Sequence, residues 1–561
     1  MQLLRIGIFY LFSFALATEQ GSSVGRPGRL AASTSSKRFA SVARDGRDHT
    51  NPFLKRLRDY FVEFVFGTPT SRIDTRPIGR NILAAYGNDV VVRFNVTDSR
   101  EEEAISEAVE RLFKDVWSHS PNSIDIRMHR DDVAPFLSLL PESLHSSYSI
   151  LIADLAARVR DTYPTNYLSD GYIDVFEKTS SIRGPLLPTY GDNIFFEDYQ
   201  PLSVIRRWAR LMEALFPSLV EMITVGVSYE GRDILALKIG ARSQADDDSP
   251  RKTIVVTGGL HAREWISTTT ANYVAWSFIT HYRKDPIVTK FLEKFELIVI
   301  PTLNPDGFDY TWQVDRLWRK TRQHTTFRFC RGIDLDRAFG YQWEPSGDPC
   351  SEFYGGDEAF EATEAQQLAA FVQSYIGRGA QIMGLIDLHS YSQQVLFPYS
   401  FSCAEEPPNL ENMEELAAGL AKAIRLTSGE AYAVRPACEG AVASETKTSH
   451  INSARIEVGG GSAIDWFSHE LLARYSYQIR LRDTGSYGFL LPKEYIIPTG
   501  EEIFNAFRYL ADFLLGNNGI ESIDTNAVLH EDPSSLSQIP EESVLEQAGQ
   551  TGSFRSHELR R

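Results

Sequence analysis

The chain has 561 residues, 43% hydrophobic and 23% charged, the balance of an ordinary folded protein and not of a disordered, collagen-like or multi-span membrane chain. Lys and Arg number 57 against 74 Asp and Glu, a net charge of −17, so binding to phosphate backbones is disfavoured and no nucleic-acid partner is expected. Length suggests three to four domains, and four Cys in so long a chain allow one or two staples but no disulfide scaffold.

Residues 1–17 carry Arg5, an apolar run from Ile6 to Phe14, and Ala15-Leu16-Ala17, a small-x-small cleavage pattern. The run is too short to span a bilayer and reads as a secretory signal peptide, with a buried N-terminal helix as the alternative. No later stretch is apolar enough for a membrane span. Residues 18–85 form a leader rich in Ser, Gly and Arg near its start, expected to be flexible. Asn95-Val96-Thr97 is a glycosylation sequon and fits a secreted or vacuolar location.

A first ordered block is expected over 86–165. Val90–Val96, Ser123–Met128 and Tyr148–Ile152 read as strands, and 101–115, 131–140 and 153–162 as helices. That alternation predicts a small α+β open sandwich. After a connecting segment, 166–195, a second block fills 196–516. It opens with a helix at 201–216 and ends with one at 500–515. The continuous apolar runs Thr253–Thr257, Leu297–Ile300 and Gly384–Leu388 predict an α/β domain with a mixed central sheet buried on both faces. Residues 517–561 read as a disordered acidic tail.

Chemistry gathers at two strand ends. Gly258-Gly259-Leu260-His261-Ala262-Arg263-Glu264-Trp265 follows the 253–257 strand, and Asp387-Leu388-His389-Ser390-Tyr391-Ser392 closes another. Ligand sites in α/β sheets form just past strand C-termini. Two His and one carboxylate with an open fourth position is a usual ligand set for a hydrolytic zinc site. The His-x-x-Glu spacing alone is weak, although 261–264 is its single occurrence in the chain.

With Asn304-Pro305-Asp306-Gly307, Leu317–Arg322, Cys330–Asp334 and Arg482–Phe489, these motifs occur in the order found in pancreatic-type zinc carboxypeptidases. The resemblance covers 196–516, and the first block resembles the family's pro-domain. It implies one Zn²⁺ held by His261, Glu264 and His389. It also implies substrate-facing roles at Arg263, Arg319, Asp336, Arg337, Ser390 and Tyr391, with Arg319 as the oxyanion-stabilising guanidinium. Disulfides Cys330–Cys350 and Cys403–Cys438 are implied as well, each stabilising by about 2–4 kcal/mol. By the same resemblance the pro-domain caps the cleft until cleavage, for which Arg183 is a candidate site.

Three departures accompany these matches. The family's carboxylate clamp is Asn-Arg, and here it is Asp336-Arg337. The family's general base is a Glu on the strand before Leu-Arg-Asp-Thr-Gly, and here Arg480 stands there, a group that cannot accept a proton at physiological pH. The mobile Tyr of the family has no counterpart in 454–466, and Glu457 in the same stretch is poorly placed, in a loop, to serve as an alternative catalytic acid. Base, lid and clamp are all altered, which points to a pseudoenzyme. The sequence most resembles the fungal inactive metallocarboxypeptidase-like family, associated with cell wall organisation and biogenesis. Peptide C-termini or a wall component are the implied partners. A weak carboxypeptidase preferring apolar chain ends, suggested by Ile464, is the alternative. Asp336 and Arg480 are expected to pair across the pocket and offset each other's desolvation.

Overall fold

The structure is a computed structural model that describes residues 83–120, 122–164, 193–241, 251–345, 347–441 and 459–516. The signal segment, leader residues up to 82, Arg183, Glu457 and the tail lie outside the described residues.

Near the N-terminus, β1 (Asp89–Asn95), β2 (Asp115–Ser120), β3 (Ser123–His129) and β4 (Tyr148–Ile152) form an antiparallel sheet in the order β2-β3-β1-β4. Alternate side chains of β1 serve two cores. Val90, Val92 and Phe94 pack with Ile105, Val109 and Phe136, whereas Val91 belongs to the core of the larger sheet. This is why the segment reads as an unbroken apolar run. The helix Ser99–Leu112 starts at Asp98, whose carboxylate accepts from the backbone of Arg100 and Glu101.

The helix expected over 101–115 stops earlier, because Phe113 adopts a left-handed conformation (φ 49°) and turns the chain into β2. That strand, Asp-Val-Trp-Ser-His-Ser, is not evident from periodicity. Its pairing with β3 shifts register between Val116 and Ser118, so Trp117 sits at a bulge. Bulges re-aim side chains, and this one matters for the site.

The larger sheet has the order β11-β10-β12-β9-β7-β8-β6-β5. Its strands are β5 (Val220–Val227), β6 (Asp233–Ile239), β7 (Arg251–Thr257), β8 (Phe295–Ile300), β9 (Ala380–Ser390), β10 (Gln394–Phe397), β11 (Ala433–Pro436) and β12 (Tyr477–Leu481). The neighbours β8-β7-β9-β12 run parallel, while β5 and β6 pair antiparallel at one edge. Ile254 and Val256 of β7 pack into one core with the helices Trp265–His281 and Ile496–Leu514. Val255 packs into the other, with Leu368 and Val372 of the helix Thr363–Gly377. Burial on both faces is the physical content of the continuous apolar runs. All described residues fall in one compact unit, Ser71–Arg561. Disulfides join Cys330 to Cys350 and Cys403 to Cys438. No helix among the described residues is long and apolar enough to cross a membrane.

Candidate metal centre

The parallel strands β7 and β9 end side by side, and their C-terminal loops supply three groups that converge. Past β7 the chain must turn tightly under the helix Trp265–His281. Gly259 has φ +59°, and a Cβ there would lie 2.5 Å from Thr268 Oγ1, so glycine is required. This turn delivers His261, and Glu264 follows immediately before the helix.

His261, Glu264 and His389 are buried, and one ligand atom of each lies within 4.8 Å of the others. His261 Nδ1 is 2.9 Å from Glu264 Oε1 and 3.2 Å from His389 Nδ1. The second carboxylate oxygen, Glu264 Oε2, accepts from the Ser390 backbone N–H at 2.9 Å. Burial opposes charge on Glu264, yet His261 and His389 outweigh it and hold the carboxyl well below its ordinary range. Burial likewise opposes a charged His389, but Asp387 and Glu264 raise its pKa well above the ordinary value. Glu264 is thus already ionised, and His389 carries the proton that a bound cation would displace.

A further layer of carboxylates fixes the imidazoles. Asp334 Oδ1 lies 3.0 Å from His261 Nε2, and Asp387 Oδ2 lies 2.9 Å from His389 Nε2. With the outer nitrogens donating, both Nδ1 lone pairs face the centre, the usual arrangement of metal-binding histidines. The donor set and its support therefore fit a zinc ion. Neither aspartate stands out in the sequence, although Asp334 ends Cys330–Asp334 and Asp387 opens Asp387–Ser392. Asp387 is two residues before His389 on one strand, hence on the same face. Its other oxygen accepts from Thr257 Oγ1 at 2.6 Å.

Asp334 also organises the arginines. Arg319 Nη2 donates to Asp334 Oδ2 at 2.9 Å, and Arg337 Nε lies 3.9 Å from the same oxygen. Both guanidinium carbons stand 5.2 Å from the Phe353 ring centroid, so one aromatic side chain flanks the pair. Arg319, Arg337, Asp336, Arg480, Ser390 and Ile464 all line the cleft beside the metal ligands.

The expected Asp336–Arg480 ion pair is not formed. Gln478, buried on β12, stands between them: its Nε2 donates to Asp336 Oδ2 at 3.0 Å, and its Oε1 accepts from Arg480 Nε at 3.2 Å. Residues 478 and 480 share a strand face, so a Gln two positions before the Arg can bridge to the loop opposite. Asp336 Oδ1 is buried with no hydrogen-bond partner, and burial raises this carboxyl above its ordinary pKa. Arg480 pairs in register with His389 across β12 and β9.

The N-terminal sheet closes over this cleft. Trp117 lines it and packs edge-on against Phe489, with ring centroids 5.1 Å apart. Arg263, 1% exposed, gives its Nη1 to Asp115 at 2.9 Å and lies over Phe489. Tyr391 Oη donates to Asp125 Oδ2 at 2.9 Å, and Arg93 grips the same carboxylate through two nitrogens. Arg263 and Tyr391, expected to face substrate, are thus occupied by partners from β2 and β3. Asn95 is exposed at the end of β1.

Comparison with known proteins agrees with this architecture. A family model described as zinc carboxypeptidase matches residues 205–506. A protein of Sclerotinia sclerotiorum named inactive metallocarboxypeptidase ecm14 is 50% identical over 494 residues, covering 84% of this chain and 82% of its own. The protein of the same name from Ajellomyces dermatitidis is 48% identical, with 84% and 81% covered. The crystal structure of thrombin activatable fibrinolysis inhibitor superposes with a TM-score of 0.61 at 25% identity, covering 77% of this chain and 100% of that one. Carboxypeptidase A from Helicoverpa armigera shares the fold at a TM-score of 0.61 and 21% identity, with 75% and 96% covered. The chain belongs to the zinc carboxypeptidase family, as a pseudoenzyme among fungal relatives named inactive.

Proposed function

We propose that this protein retains one Zn²⁺ at His261, Glu264 and His389 and acts by binding, in fungal cell wall organisation and biogenesis, without hydrolysing peptides. Arg480 is the observation that carries this reading. Its guanidinium lines the cleft beside the metal ligands, in the place where the family resemblance puts the proton-accepting Glu. A permanently protonated group cannot take a proton from a nucleophile, and general-base catalysis is worth about 10² to 10⁴ in rate.

Zinc, when bound, supplies a Lewis acid at this centre. The chain's own residues do the rest. Asp334 and Asp387 hold the imidazoles in the ligating tautomer. Arg319 and Arg337 present fixed donors to an anionic ligand group, such as a peptide C-terminus or an acidic wall component. Asp336 opposes such a group, which supports loss of the family's chain-end recognition. Secretion or delivery to a vacuole, and a glycan on exposed Asn95, complete the reading. A weak carboxypeptidase taking apolar chain ends is the second reading, favoured by Ile464 in the cleft wall.

Zinc-loaded protein, whole and after proteolytic removal of the N-terminal block, is incubated with peptides of diverse C-termini and analysed by mass spectrometry. No shortening is expected. Release of single residues that His261→Ala abolishes would overturn the pseudoenzyme reading.

A further inference from the structure

Asp336 and Arg337 are consecutive in one short turn, Leu335–Arg337, and both line the cleft. One oxygen of Asp336 is taken: Oδ2 accepts from Gln478 Nε2 at 3.0 Å. The direction of that bond is fixed, because the other end of the same amide, Gln478 Oε1, meets Arg480 Nε at 3.2 Å, and a guanidinium only donates. The second oxygen, Oδ1, is buried and has no hydrogen-bond partner. A buried acceptor in that state is destabilising, and a ligand that donates to it removes the penalty.

The neighbouring guanidinium is held in a defined place. Arg337 Nε stands 3.9 Å from Asp334 Oδ2, and its guanidinium carbon 5.2 Å from the Phe353 ring centroid. Gly459, also in the cleft wall, makes room for it, since a Cβ there would lie 2.6 Å from Arg337 Nη1. The turn therefore presents an acceptor and a donor side by side. A primary carboxamide matches that pair, because its oxygen accepts and its nitrogen donates. A carboxylate does not: it has no hydrogen to give Oδ1 and brings a second negative charge beside it. The Asn-Arg clamp implied by the family resemblance differs at this one atom, where an amide nitrogen can donate. Ile464 and Phe353 line the same cleft, and their apolar surfaces suit the side chain of a terminal residue better than the hydroxyl-bearing edge of a sugar.

We infer that Asp336 and Arg337 recognise a primary carboxamide at a peptide end with an apolar terminal side chain. The amide nitrogen donates to Asp336 Oδ1, and the amide oxygen accepts from Arg337. This rests on the reading of the cleft as a binding site, and at Arg337 it puts a neutral group in place of an anionic one.

Full-length, zinc-loaded protein is titrated at about pH 8, well above the ordinary carboxylate range, with hydrocinnamamide and hydrocinnamate, which differ only in the end group. Binding is followed by ligand-observed NMR. The amide should bind about tenfold more tightly than the acid. In Asp336→Asn, a nearly isosteric change, the order should reverse by about the same factor, and Asp336→Ala should lose the amide without gaining the acid. Tighter binding of the acid by the parent, or an amide affinity unchanged in both variants, overturns the inference and leaves the cleft a binding site. N-Acetylglucosamine is titrated alongside, and if it alone bound, with an affinity lost in Asp336→Ala, the site would be one for sugars and the inference would fall. Binding of none of the three probes overturns the reading of the cleft as a binding site as well.

Discussion

The two walls of the cleft hold their charges differently. On the wall built from β7 and β9, Glu264 is met by two imidazoles and a backbone N–H, His261 by Asp334, and His389 by Asp387. On the wall built from residues 335–337 and β12, Asp336 leaves one buried oxygen without a hydrogen bond and reaches Arg480 only through Gln478. The first arrangement suits a divalent cation and little else, because every lone pair that is not aimed at the centre is already used. The second is neither a proton relay nor a carboxylate clamp. Metal binding and proton transfer therefore come apart in this fold, one wall each.

The largest expected effect is on the first wall. His261→Ala removes a ligand, and zinc binding, measured by competition with a chromophoric chelator, should drop by more than any neighbouring change produces. Asp387→Ala leaves the ligands but frees His389 to rotate and change tautomer, and should cost about 10- to 100-fold in zinc affinity. If Asp387→Ala bound zinc as tightly as the parent, the outer carboxylates would be bystanders and the contrast between the walls would weaken.

Another buried acid measures what the partners of Asp334 and Asp387 contribute. Glu364, fully buried, accepts from the Tyr229 N–H, but its second oxygen has no hydrogen-bond partner. Burial raises its pKa from 4.5 to about 7, with nearby Asp306 and Glu230 adding to the rise. Between those pH values the folded chain binds a proton that the unfolded chain has released, so stability falls as pH rises through the window and levels off above it. The loss is at most about 3 kcal/mol. Glu364→Gln should match the parent near pH 4 and exceed it at pH 8 in urea midpoint. Identical pH profiles would mean that burial alone does not penalise this acid.

The ligands were legible in the sequence because their chemistry is local: His261 and Glu264 share one turn, and His389 ends an apolar strand. Their supports were less so, since Asp334 and His261 are 73 positions apart and only the fold joins them. Gln478 escaped for a related reason. A lone Gln in a strand carries no signal until the loop bearing Asp336 is seen opposite. The covering sheet hid behind β2, whose six residues, interrupted by a bulge at Trp117, lack the alternation that marks a strand. Continuous apolar runs, in contrast, announced β7, β8 and β9 correctly, because burial on both faces leaves no polar side to interrupt them.

The smallest expected effect is the most instructive for the second wall. Arg480→Glu restores a carboxylate to the position of the missing base, and a base alone can be worth about 10² to 10⁴ in rate. The new side chain, however, would lose the donor that holds Gln478 Oε1 and would lie on the same strand face as an amide already bonded to Asp336. Two carboxylates around one amide repel, so Gln478 cannot hold the new side chain in the place where it holds Arg480. Zinc-loaded Arg480→Glu should therefore release no more C-terminal residues than the parent, as counted by mass spectrometry. The double change with Asp336→Asn, which removes the repelling carboxylate, should be the first to show turnover. Activity in the single variant would place the whole loss of function in one guanidinium, and the second wall would then differ from an active one by a single charge.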